Sequence, residues 1–202
     1  GPFGLADVGD NVAPVFIDLD GDGDLDLLTG ESDGHFNYYE NTGSNQVPNY
    51  VADGANGTAP GPFGLPDIGD NAAPTFGDVD FDGDPDLLVG DAAGVFHFFE
   101  NTGTPTAPVF AAPVTPAPFS LPDVGTRAKP RLADFDGDGD LDLLVGNGDG
   151  RFHYFENTGS ATTPVFTAHP DNGSDPGPFG LPDIGDDAAP ALGDLDGDGD
   201  LD

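Results

Sequence analysis

The sequence predicts an all-β fold built from repeated four-stranded antiparallel units, on three observations. The first is an internal repeat. Four acidic loops, DLDGDGDLD at Asp18 to Asp26, DVDFDGDPD at Asp78 to Asp86, DFDGDGDLD at Asp134 to Asp142 and DLDGDGDLD at Asp194 to Asp202, recur at offsets of 60, 56 and 60 residues, and their surroundings recur with them. The second is strand patterning: each of the first three loops leads into a short apolar run closed by Gly and then an aromatic segment with period-two alternation. The third is composition, since 32 Gly and 21 Pro disfavour helix and no segment longer than about ten residues has helical periodicity.

The repeat divides the chain into units at 1–60, 61–116 and 117–176 and a partial unit at 177–202, whose residues match 1–26 at 19 of 26 positions. In the second unit the predicted strands are Ala73 to Val79, Pro85 to Asp91, Val95 to Asn101 and Ala107 to Ala111, separated by Gly, Pro, Asn and Asp. The acidic loop therefore joins the first strand to the second. In the third strand Phe96 and Phe98 fall on one face and His97 and Phe99 on the other. Aromatics on both faces suit a sheet sandwiched between two neighbours, as in a propeller blade, better than one facing solvent. Small residues at Gly77, Ala133 and Gly193 suit a crowded inner strand.

The loop spacing carries chemistry. Carboxylates at positions 1, 3 and 5 of a tight loop converge, and Gly at position 6 permits the sharp turn. Calcium takes roughly 6–8 oxygens at about 2.3–2.6 Å in a flexible shell. The first loop offers the side chains of Asp18, Asp20, Asp22 and Asp26 and the main chain of Asp24; the equivalent residues are Asp78, Asp80, Asp82, Asp86 and Asp84, then Asp134, Asp136, Asp138, Asp142 and Asp140, then Asp194, Asp196, Asp198, Asp202 and Asp200. Magnesium, which prefers strict octahedral geometry and retains water, fits less well, and zinc lacks its usual ligands. Five aspartates in nine residues would repel one another strongly without a cation. An EF-hand would need Glu at position 12 and flanking helices, whereas position 12 is Thr29, Val89 or Val145 and strand-like runs follow.

Such loops, followed by LDLLVG-type runs, an aromatic strand and ENTG, resemble FG-GAP or VCBS repeats, the blades of integrin-alpha-like propellers. The resemblance covers nearly the whole chain. It implies four-stranded blades with calcium in the hairpin between the first two strands, which carries over to the aspartates just named. The departure is blade number. About three and a third units fall short of the roughly 4–8 blades of a closed ring, and an absent Met implies a processed product or a segment. The expectation is therefore a closed β-propeller completed by further repeats of a longer chain, an assembly with other copies, or an open tandem blade array, because a bare terminal face would expose aromatics.

The formal charge of -34, with 38 acidic and 4 basic residues, argues against nucleic acid and anionic membrane surfaces as partners. Four bound divalent ions would bring it to about -26. No stretch approaches the ~20 apolar residues of a membrane-spanning helix. Cysteine is absent, so no disulfide framework exists, and the calcium that exposed loops require points to an extracellular, secreted or cell-surface location. The basic residues Arg127, Lys129, Arg131 and Arg151 all fall in the third unit and read as surface or ion-pairing groups, with a local anion contact as the alternative.

The ENTG segments at Glu40 to Gly43, Glu100 to Gly103 and Glu156 to Gly159 read as turns rather than catalytic carboxylates. His97 and His153 align with Asn37, which suits packing and not a metal ligand, and no nucleophilic constellation is present. Sequons at Asn56 and Asn172 occupy corresponding loops 116 residues apart and are candidate glycosylation sites. Three functions follow: a non-catalytic calcium-stabilised scaffold or adhesion module, assembling into a fibre or surface layer and meeting glycans or extracellular proteins; a lectin-like propeller in which exposed Tyr38, Tyr39 or Tyr154 stacks on a sugar; and the accessory propeller of a secreted enzyme.

Overall fold

The computed structural model describes residues 5, 7–115, 117, 119, 121–193 and 195. Three antiparallel sheets follow one another along the chain. The first holds β1 (Ala13–Ile17), β2 (Asp26–Gly30), β3 (Phe36–Asn41) and β4 (Tyr50–Ala52) in the order β1-β2-β3-β4. The second holds β5 (Ala73–Gly77), β6 (Asp86–Gly90) and β7 (Phe96–Phe99). The third holds β8 (Lys129–Ala133), β9 (Asp142–Gly146), β10 (Phe152–Asn157) and β11 (Phe166–Ala168). The first two strands of every sheet are in the same register, pairing Ile17 with Asp26, Gly77 with Asp86 and Ala133 with Asp142, so each acidic loop closes the same hairpin.

The second unit departs from expectation. The strand predicted at 107–111 is reduced to isolated bridges, Asn101 with Phe110 and Phe98 with Val114. This unit is four residues shorter than its neighbours, and Pro113 stands where Asp53 and His169 donate their N–H groups to Tyr38 O and Tyr154 O, a bond proline has no N–H to make. In the first unit Asn56 supplies the missing edge with its side chain: its Oδ1 accepts from Tyr38 N at 2.8 Å and its Nδ2 donates to Tyr38 O at 2.9 Å. Asn172 does the same for Tyr154, at 2.8 and 2.9 Å. In the second unit the backbone of Val114 exchanges both bonds with Phe98. A carboxamide thus stands in for a peptide group, which gives the repeated asparagine a folding role.

The central strands β2, β6 and β9 are buried along their whole length. Their two faces feed different cores. Leu87, Val89 and Phe99 pack with Leu28, Phe36 and Tyr38 of the first sheet, while Leu88, Phe96 and Phe98 pack with Leu143, Val145 and Phe155 of the third. This is the two-sided burial read from the aromatics of β7. The glycine closing each central strand lets the next unit pass close by: a Cβ on Gly30 would lie 2.3 Å from Ala72 O, and one on Gly90 2.3 Å from Ala128 O. Phenylalanines of the GPFG segments, and Phe119 of the corresponding APFS segment, seal the joins. Phe63, in the short 3-10 turn Pro62–Gly64, meets Tyr38 edge-on at 4.7 Å, Phe119 meets Phe98 at 4.9 Å, and Phe179 meets Tyr154 at 4.7 Å. Among the described residues no helix is long and apolar enough to cross a membrane.

Candidate metal centres

Each described acidic loop folds around its own first aspartate. Asp18 accepts from Gly21 N at 2.7 Å on one oxygen and from Gly23 N at 3.0 Å on the other. Asp134 repeats this with Gly137 and Gly139, at 2.8 and 3.1 Å. Asp78 receives Asp82 N and Gly83 N, both at 3.1 Å. The turn needs left-handed backbone at positions 4 and 6, where Gly21 and Gly23 have φ of 77° and 92°. The second loop has Phe81 at position 4, at φ 62° with its ring exposed.

The folding brings three carboxylates together in each copy. One ligand oxygen from each of Asp18, Asp20 and Asp22 lies within 4.8 Å of the others, and the same holds for Asp78, Asp80 and Asp82 and for Asp134, Asp136 and Asp138. An all-oxygen, triply anionic donor set fits a hard cation. The electrostatics agree. Burial, followed by the charges of Asp26, Asp22 and Asp18, holds the Asp20 carboxyl above its ordinary range. Burial, then Asp82 and Asp78, does the same to Asp80.

The ninth-position aspartates anchor the loop to the sheet. Asp26 is buried and accepts from Leu19 N (3.2 Å) and Tyr38 Oη (2.7 Å) on one oxygen and from Asn41 N (2.8 Å) on the other. Asp142 accepts from Phe135 N, Tyr154 Oη and Asn157 N at 3.2, 2.8 and 2.7 Å. Asp86 accepts from Val79 N at 3.2 Å and Asn101 N at 2.8 Å, and burial pushes it up to about 7, with Asp80 and Asp82 adding to the effect. A carboxylate oxygen has a second lone pair, so these residues keep the capacity to join a metal shell. The seventh-position side chains stand outside the trios: Asp24 accepts from Asn45 N at 2.8 Å, and Asp140 carries a buried oxygen with no hydrogen-bond partner. The loop predicted at Asp194, Asp196, Asp198, Asp200 and Asp202 lies outside the described residues.

ENTG reads out the same network. The Asn41 amide binds Asp26, while its Oδ1 accepts from Gly43 N at 3.1 Å and Asn49 N at 2.9 Å, closing the turn; Asn101 and Asn157 repeat the arrangement. Sequence reasoning saw the turn but missed its coupling to the acidic loop. The signal was the fixed spacing of 15 residues between the ninth aspartate and this asparagine in all three units.

Other predicted groups resolve into structure. His97 is buried between Asp91 Oδ2 at 2.9 Å and Thr115 Oγ1 at 2.8 Å, its counterpart Asn37 bonds Glu31, and His153 meets Asn147 at 3.4 Å. Arg127 pairs with Asp187 at 3.0 Å and Arg151 with Asp183 at 3.4 Å. The tyrosines correct an expectation. Tyr38, Tyr39 and Tyr154 are 8%, 2% and 5% exposed and offer no stacking platform to a sugar. The GPFG phenylalanines cover Tyr38 and Tyr154, whose hydroxyls are occupied by Asp26 and Asp142.

Comparison with known proteins adds the family. No curated protein matches the chain. Among solved structures, a chain of the Photorhabdus luminescens Tc holotoxin pore aligns at 24% identity over 77% of this chain, with a TM-score of 0.40; the present chain spans 7% of that chain's length. The sequence model of the FG-GAP-like repeat matches residues 18–89 and 134–202, which include all four acidic loops. With well over half its residues inside those two segments, the chain belongs to the FG-GAP-like repeat family.

Proposed function

We propose that the chain is a non-catalytic extracellular repeat array whose units are rigidified by calcium, one ion per acidic loop, and that it serves as a structural scaffold or adhesion module in a larger assembly. The observation that carries this reading is the threefold recurrence of one construction: an aspartate trio on the first hairpin of each sheet, tied through the ninth aspartate to the asparagine of ENTG at the end of the aromatic segment. Calcium is favoured over magnesium by the converging carboxylates together with a main-chain carbonyl, a flexible set that does not impose an octahedron. A bound ion would neutralise the trio and couple metal binding to folding.

The residues supply the positioning. Asp18 holds the loop closed through the amides at positions 4 and 6, Asp20 and Asp22 complete the trio, and Asp26 fixes the loop to β3. Calcium titration followed by thermal melting tests the assignment: the melting temperature rises with calcium, and more than with equal magnesium. Asp20→Ala abolishes the gain contributed by its unit, whereas Asp24→Ala, whose main chain is the proposed donor, retains most of it. A melt indifferent to calcium, or Asp24→Ala consistently the more damaging, overturns it. Electron microscopy with and without chelator tests the assembly: filaments or stacked particles that dissolve on chelation support a calcium-sealed polymer, and discrete rings of constant size support a closed propeller.

A further inference from the structure

The first strands β1, β5 and β8 of the three sheets lie side by side and belong to successive units, so corresponding positions can be compared directly. Positions 11, 71, 127 and 187 are Asn, Asn, Arg and Asp; positions 13, 73, 129 and 189 are Ala, Ala, Lys and Ala; positions 15, 75, 131 and 191 are Val, Thr, Arg and Ala. Three alternate positions of one unit are basic where the sister units carry small or uncharged residues or, once, an acid. These are three of the four cations in a chain with 38 acidic residues. They line one cavity of about 320 Å³, whose other walls include Ala13, Ala73 and Asp187. The small residues of the sister strands leave the space that the long cationic side chains of β8 enter.

The charge in the cavity does not balance. Among the described residues Asp187 is the single acid lining it, 3.0 Å from Arg127 Nε and 3.9 Å from Lys129 Nζ. Arg131 has no carboxylate partner among the described residues; its Nη1 donates to the carbonyls of Pro130 at 2.8 Å and Pro74 at 3.5 Å. A half-buried guanidinium held by backbone carbonyls retains donors suited to an oxyanion, which it engages with a planar fork. We infer that this cavity beside the adjoining edge strands β1, β5 and β8 is a binding site for a small oxyanion, a sulfate, phosphate or compact carboxylate, held by Arg131 and Lys129 with Arg127 at its rim. Burial lowers the Arg131 pKa, as expected for a desolvated cation lacking a counter-charge. The volume sits at the small end of ligand pockets, about 300–1,000 Å³, which excludes an extended polyanion.

Repeat comparison also supplies variants that the fold already accommodates: Arg131→Thr reproduces Thr75, Lys129→Ala reproduces Ala73, and Arg127→Asn reproduces Asn71 at a left-handed position. The full chain, saturated with calcium, is titrated calorimetrically with sodium sulfate in chloride buffer of constant ionic strength, with sodium malonate as the carboxylate arm. Saturable binding of one anion per chain is expected, weakened about tenfold or more by Arg131→Thr and by Lys129→Ala, with calcium affinity unchanged. Stronger sulfate than malonate binding assigns a tetrahedral oxyanion; the reverse assigns a carboxylate. Heats equal to dilution, or wild-type binding by both variants, overturn the site. So does sedimentation in which sulfate has no effect but Arg131→Thr dissolves an assembly, since the occupant would then be an acidic side chain of another copy.

Discussion

At the scale of single residues, the ninth aspartate links the metal loop to the rest of the unit. Asp86 shows how this couples to protons. Its carboxyl is raised to about 7 by burial, against an unfolded value near about 3.9. In the metal-free chain the folded state therefore binds the extra proton between those values, and this group's contribution to stability is full at low pH and is lost as pH rises through about 7. Chelated protein should accordingly gain stability from this group as pH falls from about 7 toward about 5, and Asp86→Asn, which cannot titrate, should flatten that gain. Melting curves against pH in chelator, wild type beside Asp86→Asn, provide the check. An identical pH slope in both proteins would assign the dependence elsewhere. Calcium should reverse the slope, because protons then compete with the metal.

At the scale of the element, hairpin geometry was readable and edge pairing was not. D-x-D-x-D-G spacing followed by a short apolar run located the first hairpin of each unit, and period two in Phe96 to Phe99 assigned both faces of β7. The burial of Tyr38 and Tyr154 was not readable from β3 and β10 alone, because the rings that cover them, Phe63 and Phe179, belong to GPFG segments 25 residues away. The fourth strand of the second unit failed for a related reason: edge pairing depends on what the linker can supply, and there Pro113 and a shorter linker left only bridges. Asn56 shows the alternative solution, a carboxamide acting as one more peptide group. Replacing Asn56 by Ala in unglycosylated protein should cost about 1–3 kcal/mol, since it takes the Asn56 partner from the Tyr38 N–H, while the Tyr38 carbonyl keeps the Asp53 N–H at 3.0 Å. Denaturant titration measures this, and an effect within about 0.5 kcal/mol would remove the folding role and leave the sequon as the reason for the residue.

At the scale of the molecule, no sheet owns its core. The two faces of β6 contribute to separate clusters shared with the sheets on either side, so stability is a property of neighbours. Leu88 is 2% exposed and packs with Leu143 and Val145 of the third sheet. Leu88→Ala should destabilise by about 2–5 kcal/mol and should raise amide exchange in β9 and β10 as well as in β6, more than in β1. Exchange confined to the second sheet would show that the units melt independently.

The shared faces have a genealogical consequence. Each join is made from equivalent residues: a central-strand glycine admitting the next unit's alanine, a phenylalanine of the GPFG or corresponding APFS segment capping an aromatic ring, and leucines meeting across the gap. A unit duplicated or deleted whole presents its neighbours with the contacts they already make, so copy number can drift by recombination without any interface being redesigned. The third unit is the exception. Its cationic first strand has no counterpart in the others, and a lineage that lost that unit would keep the architecture while losing this charge.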